Sequence, residues 1–129
     1  MQEFSITIQP RFYETDALGH INNASIAAWF EVLRTSFLDS MGQTNPADAM
    51  GWILASVQID FKAEIFYGSD VTAVITEAVV GNSSLTMTCR MSQRDVTTVT
   101  GRAVLVRMDS DTKKPMRIPD GLRAEIEAL

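Results

Sequence analysis

Cysteine and histidine are almost missing from this chain: Cys89 and His20 are the sole examples in 129 residues. A lone cysteine cannot form a disulfide within its own chain, so a stapled small domain is excluded. Metal centres take three or four protein ligands, and an Asp16–His20 pair has no further histidine or paired cysteine to complete it. A Ser-His-Asp hydrolase is equally poorly served, because no nucleophile-elbow motif is present. Long apolar runs are also absent; none approaches the roughly 18–20 residues that span a bilayer, so no membrane partner is expected. The start, Met1-Gln2-Glu3-Phe4-Ser5, lacks a basic stretch followed by an apolar one, so no secretory signal is expected. Together with the unpaired cysteine this favours the cytoplasm. Basic residues are outnumbered, 11 Lys and Arg against 16 Asp and Glu, for a net charge of −5. That argues against general nucleic-acid binding, although a local basic cluster can still hold phosphates.

What is present is ordinary for a globular protein: 46% hydrophobic and 21% charged residues. The length suits one domain, 1–129, with no repeats and no long linker. Residues 3–9 alternate, with Phe4, Ile6 and Ile8 on one side, as in a half-buried strand ending at Pro10. From about Asn23 to Ser40 the period becomes helical, since Ile26, Phe30, Leu33 and Phe37 form one stripe. Asn22 or Asn23 is a natural cap for this helix, and Gly42 a natural stop. Residues 43–50 read as a loop or short helical turn broken by Asn45-Pro46.

Four strand patterns follow, at 52–61, 71–79, 85–92 and 97–108, and then a short tail. Gly81-Asn82-Ser83 and Arg94-Asp95 supply hairpin turns, so consecutive strands should pair antiparallel. Cys89 falls on an apolar-alternating face and reads as a small buried hydrophobe. Gly101, Ala103 and Ala55 are small enough for sheet and helix to approach closely, whereas Leu54, Val104 and Val106 should point away and need another cover. The simplest packing wraps the sheet around the helix, and a second subunit is a plausible outer cover.

Polar residues gather just ahead of the apolar helix: Asp16, His20, Asn22 and Asn23. A helix start presents unpaired N–H groups and a partial positive charge, which stabilise an oxyanion. A carboxylate beside them is the minimum needed to attack an activated acyl group, directly or through water. The plainer readings of the same residues are a helix cap for the polar groups and a structural histidine.

The string Arg11-Phe12-Tyr13-Glu14-Thr15-Asp16-Ala17-Leu18-Gly19-His20-Ile21-Asn22-Asn23-Ala24, followed by Trp29-Phe30-Glu31 and Arg34, resembles the signature of the 4-hydroxybenzoyl-CoA thioesterase family. Val57-Gln58-Ile59-Asp60-Phe61 and Lys114-Pro115-Met116-Arg117-Ile118-Pro119 extend the likeness over residues 4–119. The resemblance implies an α+β hotdog fold, a five-stranded antiparallel sheet wrapped around a long central helix. It implies hydrolysis of acyl-CoA or acyl-carrier-protein thioesters without metal or redox cofactor. It also implies a homodimer or homotetramer with active sites at the dimer interface. Asp16 matches the catalytic carboxylate, and Asn23 the backbone N–H that polarises the carbonyl. Gly19 matches the turn that lets the chain pass close to the thioester. His20 and Asn22 match orienting positions, and Tyr13 an aromatic near the acyl or pantetheine path. Ser25 stands where members often carry tyrosine, which reshapes the acyl pocket. Candidate contacts for CoA phosphates are Lys62, Arg90, Arg94 and Arg102. Glu31 and Arg34, three apart on the helix, read as a structural ion pair that Arg11 could join. Two other functions fit the same fold: a non-catalytic acyl-thioester binding or scaffold protein, and a hydratase, whose usual acid–histidine motif this segment does not match.

Overall fold

A computed structural model describes residues 3–43 and 51–129. The alternating segments form strands β1 (Phe4–Ile8), β2 (Trp52–Phe61), β3 (Val71–Val80), β4 (Ser84–Gln93) and β5 (Val96–Arg107). They make one antiparallel sheet in the order β1-β3-β4-β5-β2, with β1 and β2 at its edges; the hairpin turns predict its β3–β4 and β4–β5 pairings. The β4–β5 turn is two residues long, and Arg94 and Asp95 both have positive φ (53° and 63°), the twist that a tight hairpin requires. The break expected at Asn45-Pro46 lies outside the described residues.

The helical stripe becomes α1 (Asn23–Asp39, 17 residues), which buries Ile26, Trp29, Phe30, Leu33, Phe37 and Leu38. These side chains share a core with Val71, Ala73 and Ile75 of β3, Leu85, Met87, Cys89 and Met91 of β4, and Val99, Ala103 and Leu105 of β5. Gly101 admits a close approach of helix and sheet: a Cβ there would sit 3.0 Å from the Phe30 ring and 3.1 Å from the Cys89 sulfur. α1 ends with Gly42 at φ +70° and the Gln43 N–H bonded to the Leu38 carbonyl, which closes the last turn.

Three expectations need correction. A bulge between Leu54 and Ser56 shifts the register of β2, so Leu54 lies opposite Leu105 and Val57 opposite Ala103. The bulge puts Leu54 on the core side instead of the outer one, because one extra residue reverses the alternation. The tail holds a second helix, α2 (Asp120–Glu127), which buries Leu122 and Ile126 one turn apart. Glu31 and Arg34 do not pair. Arg34 is buried with its guanidinium 4.7 Å above the Phe30 ring, and among the described residues no carboxylate lies within ion-pair distance of it. Burial lowers its pKa, with Glu31 opposing. No helix among the described residues is long and apolar enough to cross a membrane.

Candidate active site

Asp16 sits in a tight loop. Its own N–H donates to the His20 carbonyl at 2.7 Å, and Thr15 bridges Ile21 across the loop. Gly19 takes φ +82°, which a side chain would resist, and so turns the chain back. The Asp16 carboxylate oxygen Oδ1 accepts from the N–H groups of Leu18 (2.8 Å) and His20 (3.0 Å). Both bonds fall on one oxygen, which fixes the carboxylate, and Oδ2 has no donor among the described residues.

Asn22 then caps α1. Its Oδ1 accepts from the Ser25 N–H at 2.7 Å, and its Nδ2 donates to the Glu14 carbonyl at 2.9 Å. The Asn22 carbonyl takes the Ile26 N–H. Of the four N–H groups at the helix start, those of Asn23 and Ala24 therefore have no acceptor among the described residues. Glu14 ties the incoming single turn, Phe12–Glu14, to the helix: its carboxylate accepts from the Arg11 N–H and from the Trp29 indole, each at 2.8 Å.

A cavity of about 570 Å³ opens between this loop, the start of α1 and the connection after β2. Asp16, His20, Asn22 and Asn23 line it, and so does Lys62. Its apolar wall is Leu18, Ile21, Ile26, Phe61, Ala63 and Ile65. The connection is held in place by the Ile21 N–H, which donates to the Ile65 carbonyl at 2.8 Å, and by a bridge between His20 and Phe66. Glu64 also lines the cavity, and its Oε2 lies 2.6 Å from His20 Nε2. Nothing in the local sequence marks Glu64, since it stands in an irregular connection far along the chain.

The other candidates lie elsewhere. Tyr13 is exposed outside the cavity, its hydroxyl accepting from Arg11 at 2.7 Å. Gly19 and Ser25 flank the cavity without lining it. Arg90 lies 4.0 Å from Glu3, Arg94 donates to the Ser69 hydroxyl at the β4–β5 turn, and Arg102 is exposed on β5 opposite Thr88 and Gln58. Of the four cations proposed for phosphates, Lys62 alone borders the cavity.

A carboxylate and open helix N–H groups on one cavity wall are equipment for acyl transfer. The thioesterase-like superfamily model matches residues 10–126 of the chain. The chain belongs to that superfamily. It is similar along nearly its whole length to a predicted thioesterase from Bacillus stearothermophilus, at 31% identity and a TM-score of 0.91, with 98% of this chain and 96% of that one covered. It is similar also to a thioesterase from Thermus thermophilus complexed with coenzyme A and zinc, at 25% identity and a TM-score of 0.83, covering 96% of this chain and 91% of that one. An uncharacterised Bacillus subtilis protein, YsmA, is 29% identical over 80 residues, 62% of this chain. The chain spans about half of that relative's length, 54%. The fold of this superfamily member is thus the hotdog-like thioesterase fold, a five-stranded antiparallel sheet with helices. The superfamily description and both structures' names are those of thioesterases.

Proposed function

We propose that the chain is an acyl-thioester hydrolase of the 4-hydroxybenzoyl-CoA thioesterase kind, a single hotdog domain acting on acyl-CoA or acyl-carrier-protein thioesters. One observation carries this reading: Asp16, pinned through Oδ1, shares a cavity with Asn23, whose N–H at the start of α1 has no acceptor among the described residues. The thioester carbonyl oxygen accepts from the Asn23 N–H, where the helix dipole favours negative charge. Asp16 Oδ2 then attacks the carbonyl carbon, or takes a proton from a water that attacks. The tetrahedral intermediate collapses with the C–S electron pair leaving on the thiolate, which needs little acid assistance. If Asp16 attacked directly, water cleaves the resulting anhydride and restores the carboxylate. The acyl group lies against Ile21, Ile26, Phe61 and Ile65, and Lys62 is the cation that meets the donor's phosphates. The sheet curls around α1 as the central helix.

Two copies join along β2, whose outer edge is unpaired among the described residues and whose Ile53, Leu54, Val57 and Phe61 are 43–50% exposed. Phe61 belongs to both that strand and the cavity, so the joint reaches the site.

Thiol release from short, medium, long and aromatic acyl-CoAs, with acyl-carrier-protein donors beside them, tests the reading. Wild type should hydrolyse at least one donor. Asp16→Asn should fall by at least about 100-fold, the size of effect seen when one oxyanion donor is removed, with unchanged circular dichroism. Full activity in Asp16→Asn would reject the mechanism, and binding without release from any donor would favour a non-catalytic carrier of thioesters.

A further inference from the structure

We propose that Gln93, at the end of β4 and outside the cavity, is a positioning residue for the reaction, acting through Phe66 on His20 and the Asp16 loop. The inference rests on the thioesterase reading above. Gln93 is one of three buried polar or charged residues among the described residues, 6% exposed. Its carbonyl accepts from the Phe66 N–H at 3.0 Å, and its amide donates to the carbonyls of Phe66 (2.8 Å) and Ser69 (2.9 Å). The side chain thus does for Phe66 what a neighbouring strand would do, satisfying both of its backbone groups on one side.

On its other side Phe66 faces His20. The two residues form a β-bridge, and their rings meet edge-on with centroids 5.1 Å apart. The residues just before Phe66 make the remaining contacts: the Ile65 carbonyl takes the Ile21 N–H at 2.8 Å, and Glu64 reaches His20 Nε2 at 2.6 Å. The three contacts converge on His20 and Ile21, and the His20 N–H is one of the two donors that pin Asp16 Oδ1. A chain of short contacts therefore runs from Gln93 through Phe66 and His20 to Asp16. A side chain that only stapled a loop would not need its load to bear on the carboxylate. An error near 1 Å in a reacting group costs about a hundredfold in rate, and Gln93 holds this error down without touching substrate.

The test compares wild type with Gln93→Met, which keeps the volume and removes all three hydrogen bonds, using the same acyl-CoA panel. Catalytic rate per folded molecule should fall about ten- to a hundredfold, while KM changes by less than about threefold because the cavity lining is unaltered. Because His20 is the sole histidine, its imidazole nitrogen resonances report its setting without ambiguity. They should move in Gln93→Met. A lower melting temperature with unchanged kcat and unchanged imidazole resonances would overturn the proposal and leave Gln93 a structural staple. Should Gln93→Met not fold, Phe66→Ala decides instead: its ring is 44% exposed, and an unchanged kcat and imidazole signal there would break the chain of contacts. If wild type releases no thiol from any donor, the functional reading fails, but the imidazole response to Gln93→Met still decides whether Gln93 sets the position of His20.

Discussion

Cys89 shows how much of a residue's chemistry burial sets. It is 1% exposed, between the sheet and the Phe30 side of α1, and desolvation pushes its thiol up to about 12 against the pull of Arg34. An unfolded thiol titrates near about 8.5. The folded pKa is therefore raised, so the folded chain keeps a proton that the unfolded chain loses. The resulting stability is fully present below pH ~8.5 and is lost as pH rises through about 12, at up to about 1.4 kcal/mol per pH unit. Urea unfolding between pH 8 and 11 should show wild type losing more stability than Cys89→Ala. Equal losses would mean that the thiol is not desolvated. The same burial should keep Cys89 silent toward thiol reagents in the native protein, so released coenzyme can be counted without a background.

At the scale of one element, the start of α1 separates a side chain's role from that of its backbone. Asn23 lines the cavity, but the proposed donor is its N–H. Asn23→Ala should therefore retain most of the rate. Asn23→Pro removes the N–H as well, at the first helical position, where proline is best tolerated. The preceding Asn22 already has φ −69° and ψ 152°, the extended geometry that a following proline demands. Asn23→Pro should thus fold normally and lose about 10²- to 10³-fold in kcat, read by steady-state thiol release with circular dichroism as control. Equal rates in the two variants would move the oxyanion site elsewhere. Residue type alone narrowed the cap to Asn22 or Asn23, because a helix start follows local rules, and the Ser25 N–H bond to Asn22 decides between them. Helix α2 was not legible: eight residues with Leu122 and Ile126 one turn apart make too short a pattern to separate from a tail.

Among the described residues the sheet ends at two edge strands, β1 and β2, and β2 is the one that exposes large apolar side chains. β2 is ten residues long and leaves Ile53, Leu54, Val57 and Phe61 exposed, an edge that isolated proteins usually blunt. Light scattering should give a mass of at least twice the 14.3 kDa chain. Val57→Lys, placing a charge on that edge, should shift the protein to monomer and reduce kcat, because Phe61 at the end of the same strand lines the cavity. A dimer unaffected by Val57→Lys would put the interface elsewhere.

Alternation and helical period determined the five strands, α1 and the loop that holds Asp16, since each follows from neighbours within a few residues. The bulge at Ala55 escaped the pattern because side-chain hydrophobicity does not encode which residue goes unpaired; β5 decided that by register. Arg34 looked like half of an ion pair because spacing gives proximity along a helix but not what lies above it, and the Phe30 ring lies there. Glu64 and Gln93 carry no local mark. Residues 62–69 meet the Asp16 loop on one side and the end of β4 on the other only after the sheet is assembled. The sequence by itself thus determined the local elements and gathered the polar residues ahead of α1, through periodicity and residue type. The tertiary structure alone decided which distant groups hold them in place, because those hydrogen bonds join residues that are near in space and far apart along the chain.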